Sequence, residues 1–199
     1  MRSTTQEALW VLRAQSGDRE AVELLLGSVQ PSLHRYVRGL VGTFYADDVL
    51  QDTLILIARK LAWLDRPELF RAWAFRIASR VAFKHLRKER RRPEDAVDDS
   101  ELRQLPAADT APADDRLKDL LTTDAISPAS RAVLMLHFAE ELPLTEVAAI
   151  LEIPIGTAKS RLAYGLATIR KHSLFDCSRS TISFPSQNAV PWPSRWRSL

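Results

Sequence analysis

The residue types and motifs that the chain lacks restrict the classes of function that it can have. The 199 residues include a single cysteine, Cys177, which excludes an intrachain disulfide and a cysteine-based structural zinc site. The four histidines are scattered, and no HExxH, CxxC or phosphate-loop motif accompanies them. The sequence therefore predicts no catalytic residue, no metal site and no cofactor, and we expect a protein that is not an enzyme.

Long apolar runs are missing as well. No stretch approaches the roughly 18–20 apolar residues that cross a bilayer, and the N-terminal residues MRSTTQEALW contain no apolar core of a secretory signal. We therefore expect no membrane insertion, and the lone cysteine favours a reducing, cytoplasmic compartment. The net charge of +3 and the hydrophobic share of 46% are those of an ordinary globular protein, so overall composition does not identify a partner.

Two adjacent helical patterns near the C-terminus carry the strongest functional signal. The first has an apolar face made by Leu144, Val147, Ala148 and Leu151. Residues 152–155 break this pattern, and a second helical pattern follows with one apolar and one polar side. The polar side consists of Thr157, Lys159, Ser160, Arg161 and Tyr164. Two helices with a tight break indicate a helix-turn-helix, whose second helix enters the major groove, so we predict that these five residues bind DNA.

Charged residues are segregated between residues 76 and 115. Cations spaced at i, i+4, i+8 and i+11 align along one helix face. They are Arg76, Arg80, Lys84 and Arg87. A solvated helix end is the plainer explanation, but the stripe also suits a phosphate backbone, and the neighbouring helix-turn-helix makes us favour DNA binding. An acidic stretch with several prolines follows, and we predict that residues 93–115 form a flexible linker.

The remaining periodicity predicts an all-α protein with two small helical domains, at residues 5–92 and 116–171, and a tail of unassigned role at 172–199. In the first domain we expect helices near 5–15, 19–28, 46–61 and 67–90. We expect another helix to begin at Pro31 and to end at Gly42, because proline suits a first helical turn and glycine a C-terminus. Asp18 is a plausible N-cap, and Ser127-Pro128 opens the first helix of the second domain.

Two closely spaced aromatic residues lie in the helix predicted near 67–90, which carries the cationic stripe and is called the basic helix below. Trp73 and Phe75 are two residues apart, so they cannot share a helix face. At least one of them belongs to the core, and we predict that it is Trp73.

Four motifs occur in a fixed order along residues 5–171. They are Gly17-Asp18 with Glu20-Ala21, then Ala46–Thr53, then Phe70–Trp73 with Arg76–Ala78 and Leu86-Arg87, and last Glu146–Ala148 with Gly156–Leu162. In this order they resemble the sigma-70 family of bacterial RNA polymerase sigma factors, in its compact extracytoplasmic-function (ECF) group. A lone helix-turn-helix occurs in many regulators, whereas the whole series is specific.

The resemblance implies partners and roles. The segment with Asp48, Gln51 and Asp52 is similar to the surface that docks on core RNA polymerase. The loop 65–70 and the basic helix resemble the part that recognises and opens the −10 promoter element, and the helix-turn-helix resembles the part that recognises the −35 element. The implied function is promoter recognition and transcription initiation, with core polymerase and promoter DNA as partners and an anti-sigma factor left open.

Several residues depart from the family pattern. Arg80 and Lys84 stand where the family usually has Asn and Asp, and Glu152 stands in the helix-turn-helix where Gly is frequent. Pro143 replaces the usual capping Ser, and Tyr164 replaces a common Arg. The changes at Pro143, Glu152 and Tyr164 predict a −35 preference that is altered or weakened, and the effect of Arg80 and Lys84 on the −10 element is left open.

A stand-alone helix-turn-helix regulator is the alternative function. Its N-terminal domain would sense a ligand or dimerise. The acidic face around Asp48 and Asp52 and the basic, aromatic helix argue against it, because a sensor domain needs neither.

Overall fold

The computed structural model describes residues 4–91 and 126–177, and within them every regular element is helical. The N-terminal half contains α1 (Thr4–Gln15), α2 (Arg19–Val41), α3 (Thr43–Lys60), two 3-10 turns (Leu61–Trp63 and Pro67–Leu69) and α4 (Phe70–Glu89). The C-terminal half contains α5 (Pro128–Leu134), a π-helical turn (Met135–Ala139), α6 (Leu144–Leu151) and α7 (Ile155–Cys177). The predicted all-α class is confirmed, while the predicted linker 93–115 and most of the tail lie outside the described residues.

Helix α2 corrects one prediction. Pro31 does not begin a new helix but lies inside a continuous helix of 23 residues. The buried side chains of α2 form one stripe that passes through this region without a break. They are Ala21, Leu25, Val29, Leu33, Tyr36, Val37 and Leu40. Proline has no N–H, so the Gly27 carbonyl loses its hydrogen-bond partner within the helix. Gly27 is exposed, so this carbonyl lies on the solvent side. The free energy gained by burying the apolar stripe outweighs the lost bond.

The ends of α2 follow the predicted chemistry. The Asp18 side chain accepts a hydrogen bond from the Ala21 backbone N–H at 3.2 Å, which satisfies one of the free donors of the first turn. This bond, with the Arg13 guanidinium beside it, holds the pKa of Asp18 below its ordinary value. Gly42 ends the helix at a φ of +83°, a backbone region that favours glycine.

The centre of the N-terminal half is an aromatic contact between α2 and α4. The rings of Tyr36 and Phe75 meet edge to face with centroids 5.4 Å apart. The Tyr36 hydroxyl pairs with Ser79 Oγ at 2.8 Å, and burial raises the pKa of Tyr36. The prediction for the aromatic pair was wrong, because Phe75 is 1% exposed while Trp73 is only half-buried.

The C-terminal half is a compact helix-turn-helix with a supporting helix. Ser127 caps α5 through a bond from the Ser130 N–H to its hydroxyl, as predicted. Glu152 joins α6 to α7 in the left-handed region, at φ +55° and ψ +45°, which explains why glycine is frequent at this position. Gly165 of α7 approaches α5 closely, since a Cβ there would lie 2.7 Å from Leu134 Cδ1.

The two halves are in contact, and the contact surface between them is called the seam below. In the seam, α2 approaches the π-helical turn closely, since a Cβ on Gly39 would lie 2.5 Å from Met135 Cε. Polar contacts surround this approach: Arg131 Nη1 donates to the Gly39 carbonyl at 3.3 Å, and Arg35 pairs with Glu140 at 2.9 Å. The buried apolar residues of the two halves belong to one connected cluster.

Candidate nucleic-acid interface

The outer face of α7 carries four of the five helix-turn-helix residues that were predicted to bind DNA. Thr157, Ser160, Arg161 and Tyr164 recur at i, i+3, i+4 and i+7, so they lie along one face of the helix. Ala158 is fully buried on another face, and Leu162 and Leu166 pack against the core, which fixes the polar face outward. Tyr164 is 58% exposed, so its ring is available to a partner.

Lys159 does not share that face. With about 100° of turn per residue, it points to the side of α7 opposite Thr157, where it is exposed. Ser160 has also committed its hydroxyl hydrogen, which it donates to the Thr157 carbonyl at 3.0 Å. The arrangement suits Arg161 and Tyr164 for base edges, and Lys159 for a flanking phosphate.

The cationic stripe of α4 divides into two parts. Lys84 and Arg87 are both exposed, as a DNA-binding face requires. Arg76 and Arg80 instead face the C-terminal half: Arg76 Nη2 donates to the Ala149 carbonyl at 3.3 Å, and Arg80 forms a two-bond ion pair with Glu152, with a shorter distance of 2.5 Å. The sequence did not predict this engagement.

A cavity of about 480 Å³ lies beside these contacts. Phe83 and Leu86 of α4 and Ile150 of α6 supply apolar walls, and arginines stand around it. The arginines are Arg80, Arg87, Arg90 and Arg161. Arg161 therefore belongs both to the recognition face and to the seam.

The predicted polymerase-docking residues lie together on α3. Asp48, Gln51 and Asp52 are all exposed, and no described residue forms an ion pair with either carboxylate. Sequence reasoning missed two apolar neighbours on the same helical face, Phe44 and Ile55, which are 71% and 42% exposed. Their spacing from Asp48, at i−4 and i+7, was the available signal.

The first of the two 3-10 turns before α4, Leu61–Trp63, presents a further aromatic side chain that sequence reasoning missed. Trp63 is 74% exposed, while its neighbour Leu64 is buried. The turn is held from α1, because Gln15 Nε2 donates to the carbonyls of Leu61 at 3.0 Å and Leu64 at 2.9 Å. In the second 3-10 turn, hydrogen bonds that the Glu68 carboxylate accepts from the backbone and from Arg66 lower the pKa of Glu68.

Neither a metal centre nor a membrane span is indicated by the described part of the chain. Residues 4–91 and 126–177 contain no group of three His, Cys, Asp or Glu side chains placed to hold a metal ion. None of their helices combines the length and apolar character needed to cross a bilayer.

Comparison with known families assigns both halves. The family model of Sigma-70 region 2 matches residues 25–92, and that of Sigma-70 region 4 matches residues 124–171. The chain belongs to the sigma-70 family. It is an RNA polymerase sigma factor, which binds core polymerase and directs promoter recognition, and its region 4 contains the helix-turn-helix. Sigma factors are initiation factors rather than enzymes.

Individual relatives agree with this assignment. The RNA polymerase sigma-H factor of Pseudomonas aeruginosa is 28% identical over 81% of this chain and 91% of its own length. The ECF RNA polymerase sigma-E factor of Escherichia coli K12 is 26% identical with the same two coverages. These relatives place the protein in the ECF group, and the stand-alone regulator is not favoured because region 2 matches the N-terminal half.

Solved structures share the fold. The sigma factor RpoE of Bartonella quintana, determined in complex with the anti-sigma factor NepR, has a TM-score of 0.61 and 25% identity over 77% of this chain and 97% of that one. CnrH, determined with the cytosolic domain of CnrY, has a TM-score of 0.59 and 24% identity over 86% of this chain and 98% of that one.

Proposed function

We propose that this sigma factor docks on core polymerase through α3 and holds promoter DNA at two points. The −10 element is held by α4 with the loop 65–70 before it, and the −35 element by α7. The single observation that supports this best is the polar face of α7, where Thr157, Ser160, Arg161 and Tyr164 lie along one side of the helix and Tyr164 is 58% exposed. The protein supplies positioning and charge, without catalytic chemistry of its own, and acts in the cytoplasm where polymerase meets DNA.

The docking proposal rests on the mixed character of the α3 face. Two carboxylates that form no ion pair with any described residue, at Asp48 and Asp52, lie between the exposed Phe44 and Ile55. Apolar side chains that are exposed beside charges are typical of protein interfaces, whose aromatic anchors contribute most of the affinity. A basic partner surface on the polymerase would complement this face.

Charge reversal tests the docking. The Asp48→Lys, Asp52→Lys double variant should bind purified core polymerase on the order of tenfold more weakly or worse, because it places like charges across the interface. Glu23→Lys, which reverses one exposed acid on α2, is the control for charge reversal away from α3 and should bind normally. Equal binding by all three proteins would remove α3 from the interface.

The DNA-binding proposal for α7 has a salt signature. Each phosphate contact contributes about 0.9 to the slope of log K against log salt. Lys159→Ala should reduce that slope by about one unit with little change in sequence preference. Arg161→Ala and Tyr164→Ala should instead flatten the preference among −35 sequences, measured by selection from a randomised duplex pool. Preferences that stay unchanged would contradict base reading by this face.

The whole activity is tested by transcription in vitro. Core polymerase with this protein should initiate at defined start sites on genomic DNA, and the charge-reversed α3 variant should not support initiation. A protein that never associates with core polymerase at low salt would defeat the proposal. An anti-sigma protein is a further partner class that we propose, since the related Bartonella sigma factor was determined with one.

A further inference from the structure

We infer that the cationic face of α4 has a second partner within the same chain, the C-terminal end of α6, and that this contact competes with DNA. The inference rests on the proposed role of Arg76 and Arg80 in DNA binding. Both arginines engage the C-terminal half in the structure, so they cannot contact phosphates at the same time.

The C-terminal end of α6 presents negative charge much as a phosphate does. Carbonyls at the end of a helix lack partners within the helix, and the helix dipole adds partial negative charge there. Arg76 donates to the Ala149 carbonyl in this last turn, which also accepts the Glu152 backbone N–H at 3.4 Å. The carboxylate of Glu152 follows directly and forms the two-bond pair with Arg80, the geometry that guanidinium groups also use with phosphate.

The two residues of this ion pair are both departures from the family pattern. Arg80 stands where Asn is usual, and Glu152 occupies a left-handed position where glycine is frequent. A non-glycine residue in that conformation is strained, and the carboxylate that it brings is the one that Arg80 binds. Neither residue of the pair is the one that the resemblance leads us to expect at its position.

The contact between α4 and the C-terminal end of α6 leaves one hydrogen-bond donor without a partner, which favours opening of this contact. The buried Nε of Arg76 has no hydrogen-bond partner among the described residues. An unsatisfied buried donor is unfavourable, and a phosphate group reached after opening would satisfy it. The side chains of Arg80 and Glu152 are 61% and 48% exposed, so water and salt reach this part of the seam.

The rest of the seam offers a way to open the contact without changing any charge. Gly39 packs against the flexible end of the Met135 side chain, since a Cβ at residue 39 would overlap Met135 Sδ. A methyl group there needs only a movement of this side chain, whereas the larger leucine overpacks the approach of α2 to the π-helical turn. Gly27 lies in the same helix, and a Cβ placed there would meet no other atom within 4 Å. Gly39→Leu should therefore separate the halves, and Gly27→Leu is its matched control.

Two measurements on the full chain test the inference. Small-angle scattering without DNA should give a larger radius of gyration for Gly39→Leu than for wild type or Gly27→Leu. Binding to a labelled mixed-sequence duplex with a central unpaired bubble should be tighter for Gly39→Leu. Its slope of log K against log salt should be steeper by roughly 1 to 2 units, as expected for two freed arginines. Adding Arg76→Ala and Arg80→Ala should abolish that gain.

The outcomes separate this inference from the proposed function. An unchanged radius, or a larger radius without tighter DNA binding, would overturn the competition. If Gly39→Leu fails to fold, as judged by circular dichroism, Glu140→Gln replaces it, since it breaks the ion pairs of Glu140 with Arg35 and Arg71. Failure to transcribe with core polymerase, alongside the expected scattering and binding changes, would instead reject the sigma-factor roles and leave the intramolecular contact standing.

Discussion

At the scale of single residues, Asp18 links the fold to pH. Its carboxylate caps α2 and pairs with Arg13 at 2.6 Å, and its pKa in the folded protein lies below the ordinary value of 3.8. A lowered folded pKa gives stability that is present above the unfolded pKa and is lost as pH falls through the folded pKa.

The Asp18→Asn variant isolates this effect, because asparagine also caps helices but carries no charge. Wild type should be the more stable protein at neutral pH, and its advantage should disappear as pH falls from about 5 to below the folded pKa. Urea unfolding at a series of pH values measures the difference. An advantage that is constant with pH would mean that the charge contributes nothing.

Three aromatic residues near α4 should differ in their contribution to stability. Phe75→Ala removes a fully buried ring and should lower the free energy of unfolding by about 3–5 kcal/mol. Trp73→Ala should cost less, because that ring is half-buried. Trp63→Ala serves as the exposed control and should stay within about 0.5 kcal/mol of wild type. Denaturant unfolding followed by circular dichroism ranks the three, and a larger loss at Trp73 than at Phe75 would contradict the described core.

At the scale of helices, α2 includes a proline that its packing tolerates. Pro31→Ala restores an N–H and relieves crowding of the Gly27 carbonyl, although it also frees the unfolded chain. The net effect should be a gain of about 1–2 kcal/mol in the free energy of unfolding, measured in urea. Gln30→Ala, at the exposed neighbour, should change stability by only about 0.5 kcal/mol or less. No gain at Pro31 would imply that α2 bends there without strain.

Helix positions were predictable where local chemistry decides them. The Asp18 cap, the Gly42 end, the Ser127 cap and the helix-turn-helix follow from residue type and spacing. The continuity of α2 and the choice between Trp73 and Phe75 do not, because burial by other helices decides both. Likewise, the exposed face of α7 could be predicted as a set, but Lys159 was grouped with it before helical geometry placed it on another side.

At the scale of the whole molecule, the seam should make unfolding cooperative. Buried residues of the two halves form one cluster, so we expect calorimetry of the wild type to show one main transition. Gly39→Leu should split it into two transitions, one for each half, while Gly27→Leu should leave it single. Two transitions already in the wild type would show that the seam contributes little to stability.

The seam itself could not be predicted from the sequence. Arg35 and Glu140 are 105 residues apart, and neither lies in a motif that signals a contact. The family pattern did mark Arg80 and Glu152 as unusual, but only the structure pairs them. Motifs identify the parts of a sigma factor, whereas long-range packing determines which parts are accessible together.

The hydrogen bonds from Gln15 to Leu61 and Leu64, at the first 3-10 turn, determine which residues an excised N-terminal half must include. The region 2 match starts at residue 25, yet Gln15 holds the carbonyls of Leu61 and Leu64, and the nearly buried Glu7 pairs with Arg71. A fragment cut at the edge of the family match would lose α1 and release that turn together with Trp63. Any excised version of this domain should therefore keep residues 4–24.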